Sequence, residues 1–429
     1  MTFWRATRGE GSLSHKGKLG TLGLAASICC SCSNVGNGND TNDAGGTKDV
    51  TSSLSGGPRS GAEPGTASGS ESSGEADSGS SSEADSGPGS GDDSASGGEA
   101  DAGPSSGADL RSSPRSCGPG GAGMTDCGSG SESCCTSPEV TGGTYDRTYA
   151  NSGGGPTGRA DSATVSTFRL DKYEVTVGRF RQFVNAWNGG AGYAPPEGAG
   201  KHTHLSGGKG LANLSSDAGD VFEMGWAASD DSAIAPTNAN LACESKFGTW
   251  TSAAGSQESM PINCVNWYES YAFCIWDGGF LPSEAEWEYA AAGGTRQQEY
   301  PWGSIDPGTT GQYAIYGCYY PSGSGNCTGG AAPVGTATLG AGLWGQLDLA
   351  GNVNEWNLDS YATYGAPCAD CAYLTAASYR VLRGGYFYNH TSYLRPSIRS
   401  DDPPNVRSIC IGFRCARSAP STSDPHIDE

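Results

Sequence analysis

Aromatic residues are confined to one part of this chain, and that confinement decides where a core can form. Of all its tryptophans, tyrosines and phenylalanines, only Phe3 and Trp4 precede Tyr145. Residues 33–115 are almost entirely Gly, Ser, Asp, Glu, Ala and Pro, with units such as Gly-Glu-Ala-Asp-Ser-Gly recurring. Such a segment has little apolar surface to bury against the entropy of ordering it, so it reads as a flexible, self-repelling tether. The core therefore belongs to residues 140–418, followed by a short tail at 419–429. Roughly 280 residues is near the upper end for one domain. The formal net charge is −21, and much of it sits in the tether. With no Lys/Arg cluster to neutralise phosphates, nucleic acid is not an expected partner.

Sixteen cysteines indicate an oxidising compartment. Residues 1–32 agree. Arg5, Arg8, Lys16 and Lys18 precede a short apolar run, 19–28, too short to span a bilayer as a mature helix. It leads into Cys29-Cys30-Ser31-Cys32, an arrangement resembling a bacterial lipoprotein signal, with Cys30 or Cys32 as the acylated residue. The expectation is an exported protein of the cell envelope, periplasmic or surface-displayed, anchored to a membrane by its N-terminal lipid. Residues 116–139 hold Cys117, Cys127, Cys134 and Cys135 and read as a small disulfide-stapled segment. The neighbours Cys134 and Cys135 do not easily pair with each other.

The rest reads as an α+β domain with much irregular structure. Phe168 to Val175 has strand character. Thr176 caps a helix with Phe180, Phe183, Val184 and Trp187 on one face, ended by Gly189-Gly190. Residues 191–260, rich in Gly, Ser, Ala and Asn, read as long surface loops. Asn266 and Glu269 form a capping-box pair for a second helix, and Ser283 and Glu286 form one for a third. Cys368 and Cys371 form either a local bridge or pairs with Cys318 or Cys327. Cys243, Cys264 and Cys410 stay unassigned. His202 and His204 are weak candidates for a metal pair.

Several blocks then occur in a telling order: Asp171-Lys-Tyr-Glu-Val-Thr-Val-Gly-Arg-Phe, Pro261-Ile-Asn-Cys-Val-Asn-Trp, and Leu281-Pro-Ser-Glu-Ala-Glu-Trp-Glu-Tyr-Ala-Ala. Tyr300-Pro-Trp-Gly, Asp348-Leu-Ala-Gly-Asn-Val-Asn-Glu-Trp, Arg383-Gly-Gly and Gly412-Phe-Arg-Cys-Ala follow. Any one is weak; together, over 140–416, they resemble the formylglycine-generating-enzyme (sulfatase-modifying factor) family. The resemblance implies a fold related to C-type lectins, with little regular secondary structure and stabilised by calcium. Active members oxidise a cysteine of a sulfatase to formylglycine, using two cysteines that bind copper(I), a metal suited to soft thiolates. Those two positions are Asn389 and Leu394 here, so copper is not expected and no catalytic residue is assigned. Around them, Tyr386 and Asn354 replace the family's Ser and Trp, whereas His390, Ser392 and Tyr393 match. These five mark the old substrate groove. If its aromatics, with Tyr388, line an open cleft, a ligand or partner binds there; if they are buried, the domain is structural. An alternative is an oxidoreductase of the formylglycine-generating type working on sulfatase-like or other substrates by a different route. A cysteine pair brought to the groove by the Cys318–Cys327 stretch would favour it.

The resemblance also implies a Cys274–Cys415 bridge, and the absence of a second one, because Ala291 and Arg399 occupy its two positions. For calcium it implies Asp348, Gly351, Val353 and Glu355, hard oxygen donors on a turn. The family's other ion site maps poorly onto 314–328 and is not carried over.

Overall fold

The computed structural model describes residues 114–128, 132–214 and 221–420. The readings of a lipoprotein signal, of the tether and of residues 421–429 lie outside the described residues. No helix among the described residues is long and apolar enough to cross a membrane.

In chain order the strands and helices are β1 (Glu139–Val140), β2 (Gly143–Ala150), β3 (Thr157–Val165), β4 (Phe168–Leu170), α1 (Val177–Trp187), β5 (Ala212–Asn213), α2 (Asn238–Leu241), α3 (Trp267–Trp276) and α4 (Glu284–Ala291). Then come β6 (Asn354–Ser360), β7 (Cys368–Ala369), β8 (Cys371–Ala372), β9 (Arg380–Arg383), β10 (Ser400–Asp402), β11 (Ile411–Gly412) and β12 (Ala416–Ser418). The central sheet runs β10-β9-β6-β11, with β6 antiparallel to β9 and parallel to β11. Every residue of β6 is buried, which is how a strand covered on both faces should read. Two three-stranded sheets, β1-β4-β12 and β2-β3-β7, and the pair β5-β8 complete the set.

The helices begin where their caps place them. The Thr176 hydroxyl accepts from the Arg179 amide at 3.2 Å. Asn266/Glu269 and Ser283/Glu286 each close both halves of a capping box. The apolar face of α1 puts Phe180 and Phe183 against Phe273 of α3 and, for Phe180, against Phe413, with ring centroids 5.5–6.2 Å apart within this cluster. Strand structure in the Phe168–Val175 stretch stops at Leu170.

One expectation changes. Residues 191–260 are irregular, but they are not merely surface loops: Leu205, Leu211, Trp226, Ile234, Leu241 and Trp250 are buried in the main core, and α2 lies among them. The cysteine-rich segment is stapled by Cys117–Cys135 and Cys127–Cys134, yet it is packed onto the domain through Tyr173, Val334 and Leu347. Cys243 pairs with Cys264, Cys318 with Cys327 and Cys368 with Cys371. Cys274 and Cys415 are joined, as the resemblance implied. Arg399 instead ties its segment to α4 by a forked ion pair, Nε and Nη2 to the two oxygens of Glu284 at 2.6 and 2.7 Å.

Buried charge is abundant, and at two places it is matched. Arg179 lies between Asp171 and Asp277 at 3.0 and 2.8 Å. His202, fully buried, has Nδ1 3.0 Å from Glu223 and Nε2 3.1 Å from Glu286. Both of its ring nitrogens are therefore committed, and the His202/His204 metal reading has no support. Burial disfavours the imidazolium, but the two carboxylates outweigh it and raise its pKa to about 10.

Candidate functional site

The groove is built on the turn after β9. Gly384 and Gly385 have φ of 96° and 72°, a region costly for other residues. A Cβ at Gly385 would also lie 2.9 Å from the Tyr393 carbonyl oxygen. The Arg-Gly-Gly motif is thus a backbone requirement for folding 386–394 back on itself. Within that turn the Asn389 side-chain oxygen accepts from the Tyr386 amide at 3.0 Å, and the Asn389 amide donates to the Tyr386 carbonyl at 2.9 Å. Asn389 is a turn former here. Leu394 is fully buried among Tyr300, Ala314, Tyr316 and Ala350. The two positions that the resemblance equates with the family's thiolates thus hold a turn amide and a leucine sealed in a core cluster.

The facing wall comes from residues 316–327. The Gly317 amide donates to the Asn389 carbonyl at 2.9 Å and the Cys318 amide to the Phe387 carbonyl at 2.8 Å. Between the walls lies a cavity of about 600 Å³ lined by Tyr316, Tyr319, Asn326, Tyr388, His390 and Thr391, with Cys318 and Cys327 in its side. Its lining contains no Asp, Glu, Lys or Arg. Tyr316 and Tyr319 meet edge to face, with centroids 5.3 Å apart. Tyr388 is 57% exposed and its ring stacks beside that of Tyr386, 6.4 Å away.

Of the five residues expected to mark the groove, His390 lines this cavity. Tyr386 is buried beneath Tyr388, Ser392 is exposed and Tyr393 half-buried outside the lining. Asn354 is buried at the start of β6, its amide donating to the Cys410 carbonyl at 2.7 Å. Tyr316 and Tyr319 were missed, whereas the Cys318–Cys327 stretch does bring a cysteine pair to the groove. The sequence signal was present as two cysteines bracketing Tyr-Tyr-Pro-Ser-Gly-Ser-Gly-Asn, in a stretch set aside for mapping poorly onto an ion site.

The calcium segment is a tightly wound turn. Asp348 and Asn352 have φ of 58° and 60°, and Gly351 has φ of 84°. Asp348 is buried; its Oδ2 accepts from the Gly335 amide at 2.6 Å, and its Oδ1 has no hydrogen-bond partner. Glu355 gives both oxygens to Arg414 at 2.7 Å, and Oε2 also accepts from Trp287 at 2.8 Å, so an ion here would have to share it. A third buried carboxylate, Glu174, accepts from the Val353 amide at 3.1 Å. Burial first, then Asp348 and Glu355, hold its pKa well above the usual carboxylate range. Burial also pushes Asp348 up to about 6. Three buried carboxylates against one guanidinium leave excess negative charge, and an orphaned oxygen sits among them. Among the described residues no set of three or more His, Cys, Asp or Glu side chains is placed to hold a metal. An ion here would therefore need main-chain oxygens, as Gly351 and Val353 would supply. The donor set fits a hard cation such as calcium.

Comparison with known proteins places the chain. Residues 131–419 match the model of the sulfatase-modifying factor enzyme 1-like domain. The chain belongs to that family. It is 33% identical over 272 residues to the formylglycine-generating enzyme of Streptomyces coelicolor, covering 60% of this chain and 80% of that one. It is 36% identical over 163 residues to the inactive C-alpha-formylglycine-generating enzyme 2 of Mus musculus, covering 37% of this chain and 50% of that one. Among solved structures, Treponema denticola variable protein 1 aligns with a TM-score of 0.42 at 20% identity, over 66% of this chain and 95% of that one.

Proposed function

We propose that this protein is a ligand- or partner-binding member of the sulfatase-modifying factor family that has given up the copper-thiolate oxidation of its active relatives. The observation that carries the reading is the fate of the two copper positions: Asn389 holds a turn and Leu394 is sealed in a core cluster, while the groove above them stays open. A lining of tyrosine rings, hydroxyls and amides without formal charge suits a neutral ligand presenting flat apolar faces and hydrogen-bonding groups. Six bridges among the described residues fit folding in an oxidising compartment. Export, with lipid on Cys30 or Cys32 holding the domain at the envelope membrane, completes the reading.

The oxidoreductase alternative is favoured by one observation: a cysteine pair, Cys318 and Cys327, does reach the groove, from the opposite wall. A single assay separates the two. The full chain is incubated with copper(I) and a sulfatase-type cysteine peptide, and the peptide is read by mass spectrometry. The expected result is no aldehyde; aldehyde formation would establish the oxidase. In parallel, neutral oligosaccharides and short uncharged peptides are screened for binding. Tyr388→Ala is expected to weaken any hit about tenfold, equivalent to about 1.4 kcal/mol. A hit indifferent to Tyr388 would place binding elsewhere.

Calcium is the cofactor we assign to Asp348, Gly351, Val353 and Glu355. Saturating calcium at about 100 times its Kd should stabilise the fold by about 2.7 kcal/mol. Melting in calcium and in chelator should differ by several degrees in the wild type and coincide in Asp348→Ala. Identical wild-type curves would remove the assignment.

A further inference from the structure

The Cys318–Cys327 bridge stands apart from the other five. Each of those places at least one sulfur-bearing residue in a buried apolar cluster: Cys264, Cys274 and Cys415 in the main core, Cys368 and Cys371 in the second, and Cys117, Cys127, Cys134 and Cys135 in the third. Cys318 and Cys327 belong to none of these clusters. They form the side of the cavity, and Cys327 is half-exposed. Exposure alone does not single them out, since Cys243 is also exposed; its partner Cys264, however, is fully buried. Both groove cysteines hold left-handed backbone, with φ of 58° and 46°, as Cys264 does at 61°, but in no other bridge among the described residues do both ends adopt this conformation, which is disfavoured for residues with a side chain. The bridge closes nine residues of sequence separation, while Cys127–Cys134 and Cys368–Cys371 close shorter ones, so its place in the cavity wall sets it apart and its span does not. The loop inside it, Tyr319 to Asn326, carries no charge, so no carboxylate among the lining residues repels an incoming thiolate.

We propose that Cys318–Cys327 is a thiol–disulfide exchange site that opens to thiols entering the tyrosine-lined groove. A thiolate attacks the more open sulfur, Cys327. The Cys318–Cys327 bond breaks, a mixed disulfide forms on Cys327, and Cys318 leaves as a thiolate that takes a proton from water. A second thiolate attacks the mixed disulfide and releases Cys327. Two thiols are oxidised to one disulfide, and the protein's bridge is reduced to two thiols, so the electrons balance with no further reactant. The loop's first residues stay tied to 387–389 through the Gly317 and Cys318 amides, so reduction loosens one wall without dismantling the domain. This exchange does not depend on whether the groove also binds another ligand.

The test uses the full chain in graded thiol buffers, quenched by alkylation and read by peptide mass spectrometry. Cys318 and Cys327 should be labelled at least tenfold faster than any other bridged pair, with the melting transition retained. Another bridge opening first, or all bridges opening together with unfolding, would overturn the proposal. Two probes report on the groove itself: glutathione, which is anionic, and an uncharged tripeptide containing one cysteine. The uncharged thiol, compared per thiolate, should react severalfold faster through the uncharged groove, and Tyr388→Ala should erase the difference; equal rates in the wild type would overturn docking in the groove. Finally, a Cys318→Ser variant, which leaves Cys327 alone, should capture the disulfide form of the tripeptide as a mixed disulfide on Cys327. Its absence in a folded variant would count decisively against the site.

Discussion

A Cys274→Ala/Cys415→Ala double variant should lose about 5 kcal/mol of stability, in the chain-entropy view of cross-links. The bridge spans 141 residues of sequence, and the entropy it removes from the unfolded chain grows with the logarithm of that length. It joins α3 to the segment just before β12, both fully buried at the sulfur-bearing residues. The three-stranded sheet β1-β4-β12 is therefore tethered to the helix that packs α1. At roughly 2–4 °C per kcal/mol for a domain of this size, the melting temperature should fall by 10 °C or more. The contrast variant is Cys318→Ser/Cys327→Ser: its bridge closes nine residues and lies outside the buried clusters, so its loss should be visibly smaller. Thermal scans of the two double variants side by side decide the point; equal losses would mean that the long bridge is not the one holding the domain.

How much of this could be read from the sequence depends on how local the cause is. The starts of α1, α3 and α4 were legible because a capping side chain and the amide it accepts from are three residues apart. The core contribution of 191–260 was not. Its buried residues, from Leu205 to Trp250, are single apolar side chains set in Gly- and Ser-rich turns with no period to betray them. The groove was half legible. The wall at 384–394 carries the Arg-Gly-Gly mark, whereas the wall at 316–327 is marked only by its two cysteines and is held by two amides that reach across to residues about 70 positions away. At the 348–355 turn the sequence offered Asp348 and Glu355, whereas Glu174 and Arg414, which set the charge there, arrive from distant segments. The same applies to the arginines of the recurring blocks. In sequence they are signatures; in the fold, Arg383 and Arg414 are the countercharges of buried glutamates that no linear pattern pairs with them.

Arg383→Met should be the most damaging single substitution in the groove's foundation, and its cost should depend on pH. Arg383 donates to Glu284 through Nε at 2.9 Å and to Glu288 through Nη2 at 2.8 Å. It also reaches the carbonyls of Pro396 and Ile398 at 2.7 and 3.2 Å. One fully buried guanidinium thereby binds α4 to β9 and to the chain leaving the groove. Methionine fills much of the volume but leaves Glu288 buried without its countercharge, and breaking such a pair from one side costs about 3–5 kcal/mol. Glu284 is less affected, since Arg399 still holds both of its oxygens. Burial already lifts the Glu288 pKa to about 7, with Arg383 pulling the other way. Removing Arg383 must raise it further. A carboxyl whose folded pKa lies above its unfolded value stabilises fully below the unfolded value and loses that contribution as pH rises through the folded one. In the wild type that loss falls between about 4.5 and about 7; in the variant it extends higher. The charge-dependent part of the Arg383→Met penalty should therefore vanish near pH 5, where Glu288 keeps its proton, and grow above about pH 7 by about 1.4 kcal/mol per pH unit, on top of a pH-independent part from the lost carbonyl contacts. Urea unfolding near pH 5 and near pH 8 measures it. A pH-independent loss would show that Arg383 acts through packing and its carbonyl contacts rather than through the charge of Glu288.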